Sequence, residues 1–334
     1  MVKISFILGI LNAERTLRDC LDSILIQDYP KKNYEVIIVD GGSTDKTLEI
    51  IGEYRKNNKN IRLLHNPHKL SEGRGMSKDM GVDSSRGEIV IFLDHDNIII
   101  GKDWLKKIIY PFEDEKVMAS QSLLKPVKGD SNFLKYVNDA GVEDSFAIPY
   151  SLVAQMQMNP RKFKIERGSY YVYLLDKKNI LYGGANGCAF RRSVFLEIGG
   201  YTRDVDVFAS MAELNMKVAS PIDAFIYHKT SGDFLSFMKK KGIYFYRFIN
   251  KEYETKKFSW IGDNLSDNIK FLIRVMLNLS FLKALIEGLK QIKNGKGYFW
   301  LLHPFYVFFI TLEYGLITFY KFGNFLRYRK INIR

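Results

Sequence analysis

The sequence predicts an α/β fold with a basic, largely helical C-terminal extension. Two observations carry this. Over about the first 100 residues, apolar strand patterns alternate with helical ones, and positive charge is concentrated in the last third. "KISFILGIL" is a buried strand, and "RTLRDCLDSILIQ" places apolar residues at helical spacing. "YEVIIVD" is a strand, "TDKTLEIIGEYRK" a helix and "IRLLHN" a strand. "GRGMSKDMGVDSSRG" is a polar helix and "EIVIFLD" a strand. Continuous apolar strands alternating with helices imply a parallel sheet covered on both faces. The middle of the chain is more irregular and ends in the buried run "DAFIYH".

At 334 residues, with 46% apolar and 26% charged residues, the chain can bury a sizeable core and still carry an extension. From Lys229 to Arg334 there are 19 Lys/Arg against 7 Asp/Glu, net +12 of the formal +13. Residues 1–228 therefore read as a near-neutral catalytic domain, and 229–334 as a basic helical region suited to phosphates or an anionic membrane surface. Nucleic acid is the poorer partner, because no recognition motif accompanies the charge. Cys20 and Cys188 lie far apart without metal-ligand spacing, as buried thiols in a reducing compartment do. The apolar start lacks a basic flank and a cleavage site, so it reads as a first strand rather than a signal peptide, with the body cytosolic.

Two strands end on carboxylates. In an open parallel sheet, ligands bind beyond the carboxyl ends of the strands. Asp40 ends "VIIVD", where Gly41 and Gly42 allow a sharp turn and Ser43 or Thr44 can cap the next helix. Asp40 itself reads either as a ligand contact or as a helix cap. Asp94 and Asp96 end "IVIFLDHD", and on an extended segment they would share one side. Close like charges are usually kept for a cation, and one or two carboxylates plus substrate phosphates suit Mg²⁺ or Mn²⁺.

In order, "VDGGSTD", "EGRGMSKDMGVDSSRGEIVIFLDHDN", "GGANGCAFRRSVFLEIGGY", "RDVDVF" and "AFIYHK" resemble a family 2 glycosyltransferase with the GT-A fold. The resemblance covers about residues 1–228. It implies an inverting, metal-dependent enzyme using a nucleotide-diphosphate sugar. Asp40 would contact the base, and Asn12 and Glu14 would line the nucleotide pocket. Asp94 would lie near ribose and phosphates, and Asp96 would bind the metal. Lys78, by the resemblance a nucleotide phosphate contact, stands where the family usually has Arg, and Asp79 where it usually has Asn; lysine keeps the charge and loses the bidentate fork.

An inverting transfer needs a general base. The family's Glu-Asp pair aligns with Arg203-Asp204, so Asp204 is the favoured base, Asp206 the second choice and Glu213 a third. "GGANG" (Gly184, Ala185, Asn186 and Gly187 among it) would floor the acceptor site or form a structural turn. His228 would join Asp94 and Asp96 at the metal, or simply end its strand hydrogen-bonded.

In the basic region, "FMKKKGIYFYRF" brings Lys239, Lys240, Lys241 and Arg247 near aromatics, either for a phosphate or lipid head or as a solvated face. "YFWLLHPFYVFFITLEYGLITFY" could lie in a membrane interface, span the bilayer, or form a core or homo-oligomer helix; His303, Pro304 and Glu313 would need shelter. Taken with the family resemblance, whose members with similar tails work on lipid-linked acceptors, these features imply a lipid-linked or glycan acceptor at the cytoplasmic membrane face. A polyprenyl-phosphate sugar synthase and a non-catalytic membrane module with the same fold are the alternatives.

Overall fold

The computed structural model describes residues 3–68, 71–177, 180–184, 186–230, 233–247, 249, 257 and 265–331. Its strands are β1 (Ile4–Ile10), β2 (Tyr34–Asp40), β3 (Ile61–His65), β4 (Ile89–Phe92), β5 (Asn97–Ile100), β6 (Val117–Gln121), β7 (Leu123–Leu124), β8 (Lys164–Glu166), β9 (Tyr170–Leu174), β10 (Cys188–Arg191), β11 (Lys217–Pro221) and β12 (Phe225–His228). Its helices are α1 (Leu17–Leu25), α2 (Thr47–Asn57), α3 (Ser77–Ser84), α4 (Trp104–Ile109), α5 (Asn132–Ala140), α6 (Leu152–Met158), α7 (Ser193–Ile198), α8 (Asp204–Glu213), α9 (Phe234–Arg247), α10 (Leu265–Leu279), α11 (Leu282–Lys293) and α12 (His303–Ile331).

The chain forms two compact units, residues 1–125 with 150–229, and 126–149 with 230–334. The sequence expectation placed 126–149 in the first domain. Aromatic packing draws it to the other: Phe133 of α5 meets Phe237 and Tyr306 edge-on at 5.2 and 5.7 Å, and Tyr136 meets Trp300 at 5.3 Å.

In the first unit, nine strands among the described residues form one sheet, ordered β3-β2-β1-β4-β10-β6-β11-β9-β8. β3, β2, β1 and β4 run parallel, and β1 and β2 are buried along their whole length, as their continuous apolar runs require. The sheet is nonetheless mixed, since β10 runs antiparallel to both β4 and β6. This inversion has a consequence for the site: the glycine-rich segment before β10 arrives at the end of β4, where the Gly187 N–H donates to the Phe92 carbonyl at 3.0 Å. A second sheet, β5-β12-β7, sets His228 opposite Asn97.

The second unit is helical. α12 buries Tyr306, Val307, Ile310 and Tyr314, and the preceding turn buries Trp300. Both polar groups that needed shelter find it. His303 is 1% exposed, its Nδ1 2.6 Å from the Tyr136 hydroxyl and its Nε2 3.4 Å from Glu287, and Glu313 lies against Gly242 of α9.

Candidate active site

The loops after β1 and β2 clasp one another. Asn12 leaves β1 at φ 52°, a left-handed conformation that asparagine tolerates well. Its Oδ1 accepts the Thr44 N–H at 2.9 Å, and its own N–H donates to Ser43 Oγ at 2.9 Å. Glu14 Oε2 accepts the Lys46 N–H at 3.1 Å. Asp40, buried at the end of β2, accepts the Gly42 and Ser43 N–H groups at 2.9 and 3.1 Å and the Ser43 hydroxyl at 2.5 Å. Neither Ser43 nor Thr44 caps α2, because Ser43 is turned back onto Asp40; Asp45 Oδ1 accepts the Thr47 N–H at 3.0 Å instead. Asn12, Glu14 and Asp40 thus share one strand-end rim.

α3 can approach the sheet because Gly81 faces β1: a Cβ there would stand 2.4 Å from Ile7 Cγ2. One turn earlier on α3, Lys78 is likewise buried, 2% exposed. Its Nζ lies 3.1 Å from Glu72 Oε1 and 3.5 Å from both Asp94 Oδ1 and Asp204 Oδ1. Burial opposes an ammonium here, but Asp204, Asp94 and Glu72 outweigh it and hold Lys78 above the ordinary lysine range. The Glu72 side chain is 35% exposed, yet its carboxyl end is crowded by protein; withdrawal from water, then the charge of Asp204, push it up to about 7.

Asp204 comes from far along the chain, and hydrogen bonds account for its arrival. The Gly73 N–H donates to the Thr202 carbonyl at 2.7 Å, and Asp79 accepts the Tyr201 and Gly75 N–H groups, each at 2.8 Å. Arg74 also pairs with Asp79. Asp79 therefore ties the loop before α3 to the start of α8, and the Tyr201 hydroxyl donates to Asp204 Oδ1.

Asp94 and Asp96 do not lie on an extended segment as the spacing predicted. β4 ends at Phe92, and Asn97 closes a turn: its N–H donates to the Asp94 carbonyl at 3.0 Å, while its side-chain oxygen accepts the Asp94 N–H at 3.1 Å. The two carboxylates consequently have different neighbours. Asp94 faces Lys78, and Asp96 Oδ2 lies 3.3 Å from His228 Nε2. Among the described residues, no three His, Cys, Asp or Glu side chains gather as a metal cage. An Asp–His pair fits a divalent ion that takes its other ligands from substrate phosphates and water.

Gly184 lies beside the base candidate, with the position of a Cβ 3.6 Å from Asp204 Oδ2. Gln121 holds this segment, Oε1 accepting the Gly184 N–H at 3.2 Å and Nε2 donating to the Asn186 carbonyl at 2.9 Å. At Gly187, φ 67°, a Cβ would meet Ser122 Oγ at 2.7 Å, so only glycine fits. Ala185 lies outside the described residues. Asp206 is 2% exposed and paired with Arg203 (Nε to Oδ2 2.7 Å), whereas the Asp204 side chain retains 24% exposure. Glu213 ends α8 at the helix's far end from Asp204.

In the helical unit, the basic run lies on α9. Lys241 pairs with Glu143 and Lys240 lies 3.8 Å from it, so these two cations have an internal partner that the sequence did not indicate. Lys239 and Arg247 line a shallow depression of about 430 Å³ with Tyr246 and Glu313. Sequence reasoning assigned no role to Glu72, Tyr201 or Gln121. Glu72 and Tyr201 lie within the quoted motifs, but no spacing singles them out; Gln121 carries no signal at all.

Residues 5–199 match glycosyl transferase family 2. The poly(ribitol-phosphate) beta-N-acetylglucosaminyltransferase TarS of Staphylococcus aureus is 36% identical over 145 residues, 43% of this chain and 23% of its own length. A dolichyl N-acetyl-alpha-D-glucosaminyl phosphate 3-beta-D-2,3-diacetamido-2,3-dideoxy-beta-D-glucuronosyltransferase of Methanococcus voltae is 48% identical over 65 residues, 19% of this chain and 20% of its own length. The chain thus spans less than a quarter of either relative. The mannosyltransferase PcManGT from Pyrobaculum calidifontis, solved with GDP-Man and Mn²⁺, superposes with a TM-score of 0.57 at 13% identity, covering 93% of this chain and 86% of that one. That likeness shows the shared GT-A fold.

Proposed function

The chain belongs to glycosyl transferase family 2, and we propose that it moves a sugar, with inversion, from a nucleotide-diphosphate donor to a lipid-linked or polysaccharide acceptor at the cytoplasmic face of the membrane. The observation that carries this reading is the convergence on Lys78 of Asp94, from the end of the parallel strands, and Asp204, beside the glycine-rich segment. Donor and acceptor sides of a transfer thereby meet at one buried cation.

Asn12, Glu14 and Asp40 frame the nucleotide, Asp40 acting through the loop it organises, and Asp94 borders ribose and phosphates. Gly184, Asn186 and Gly187 floor the acceptor. Asp204 takes the proton from the acceptor hydroxyl as that oxygen bonds to the anomeric carbon and the bond to the diphosphate oxygen breaks. It opens the first turn of α8 beside Lys78, and its side chain stays open to the acceptor with 24% exposure. Asp206, sealed at 2% exposure against Arg203, is out of an acceptor's reach and is the poorer base. A Mg²⁺ or Mn²⁺ ion held by Asp96 and His228 would supply positive charge to the departing diphosphate. Lys239 and Arg247 remain the better placed cations for an anionic acceptor head. The two relatives' names both specify phosphate-bearing acceptors, a chemistry that suits a basic helical unit.

The test supplies UDP- and GDP-sugars with Mn²⁺ and a lipid-phosphate acceptor, and measures nucleoside diphosphate release and transferred sugar. Acceptor-dependent release that is lost with chelator and in Asp204→Asn is expected. No release from any donor, or release insensitive to both changes, contradicts the reading.

A further inference from the structure

A helix packed on a water-soluble core turns its large apolar side chains inward and its small or polar ones outward. α10 and α11 do the reverse. On α11, Ala284, Gly288 and Gln291 are buried, while Leu282, Leu285, Ile286 and Leu289 are 40–62% exposed. Gly288 is the point of closest approach: a Cβ there would stand 2.7 Å from the Trp300 carbonyl oxygen. On α10, Asn278 is buried and donates to Thr311 Oγ1 of α12 at 3.2 Å, while Leu265, Ile269, Leu272, Ile273 and Met276 are 47–75% exposed. Small residues and interhelical hydrogen bonds inside, with bulky hydrocarbon outside, is how helices pack in lipid.

Charge and length identify the surroundings further. Lys290 and Lys293 follow Ile286 and Leu289 at i+4, so they continue the apolar stripe of α11 as exposed cations in its last turn. With 12 residues between its caps, α11 is about 18 Å long, short of the roughly 30 Å a bilayer core requires, so it can enter one leaflet and cannot cross two. α12 packs differently: it turns large side chains inward (Tyr306, Val307, Ile310 and Tyr314) as well as outward (Phe305, Phe309, Leu316 and Phe319), so it lacks the small-and-polar inner face of α10 and α11.

We propose that the α10–α11 pair inserts its exposed apolar face into a single leaflet of an anionic membrane, with Lys290 and Lys293 at the phosphate headgroups. This rests on the membrane placement proposed above and assigns the insertion to α10 and α11 rather than to α12. The two signals, apolar burial and basic charge, together give the stable attachment that neither gives alone.

The test is flotation of the full chain with phosphatidylcholine vesicles, with and without phosphatidylglycerol. It compares wild type, the combined variant Leu272→Gln/Met276→Gln/Leu285→Gln/Ile286→Gln, and the α12 variant Phe309→Gln/Leu316→Gln. All six side chains are exposed, so unfolding midpoints should stay near wild type and report any variant that fails to fold. Wild type and the α12 variant should float with phosphatidylglycerol vesicles, and the α10–α11 variant should lose about tenfold or more in partitioning. Lys290→Glu/Lys293→Glu should lose the preference for phosphatidylglycerol. Wild type that never floats overturns the membrane reading itself. Flotation lost only in the α12 variant overturns this assignment alone. A wild-type dimer that the α10–α11 substitutions dissociate, with flotation unchanged, would make the face a contact between two copies and likewise overturn it.

Discussion

Lys78 shows what a single position can and cannot reveal. Its resemblance-based role is a phosphate contact, but the folded protein seals its ammonium among Glu72, Asp94 and Asp204. The Asp-x-Asp segment and the RDVDVF segment were both legible as carrying carboxylates; that one lysine joins them was not, because 126 residues separate Lys78 from Asp204. Asp204→Asn keeps size and polarity yet removes the proton acceptor, so turnover should fall roughly 10²-fold or more with donor affinity kept. Asp206→Ala leaves Arg203 without its buried partner and should instead cost about 3 kcal/mol of stability, read from denaturant midpoints. A pH effect belongs here too. The Glu72 carboxyl is pushed up to about 7, so between the ordinary carboxylate range and that value the folded chain holds a proton that the unfolded chain has released. The contribution of Glu72 to stability should therefore fall as pH rises from about 4.3 to about 7 and level off above, a component read as the difference between wild type and Glu72→Gln across that range.

Among the elements, the strands were the legible part, because β1 and β2 are buried on both faces and must be apolar throughout. The turn after β4 was not. An alternation argument placed Asp94 and Asp96 on one side, but Asn97 uses both its N–H and its side-chain oxygen to fold the segment back. The antiparallel β10 was also hidden, since a strand of only four residues looks alike in either direction. The position of α3 depends on Gly81, whose absent Cβ admits Ile7. Gly81→Ala should cost about 1–3 kcal/mol by overpacking, and the double variant with Ile7→Ala should lose less than the sum of the two single losses. Additive losses in the double variant, measured by urea unfolding, would mean the helix packs elsewhere.

On the scale of the whole molecule, the two-unit division changes what a truncation does. With residues 1–228 read as the catalytic domain, a truncation beyond 294 would leave that domain untouched. Yet the segment after 294 supplies Trp300, Tyr306 and Tyr314 to the packing of the helical unit, including α5, which lies between two parts of the catalytic unit in sequence. Removing it should leave nucleotide binding near wild type and make residues 126–149 cleavable by protease where the full chain is protected. The proposed function requires the strand-end carboxylates to hold a nucleotide-diphosphate sugar together with a divalent ion. A ligand that binds only the native state must raise its stability, so the most direct measurement is thermal unfolding of wild type and Asp96→Ala across a set of nucleotide-sugars, with Mn²⁺ or with chelator. At least one sugar nucleotide should raise the wild-type midpoint with Mn²⁺, lose that effect with chelator, and lose it in Asp96→Ala. A shift that persists unchanged in Asp96→Ala with chelator present, or no shift with any nucleotide-sugar, would contradict the account.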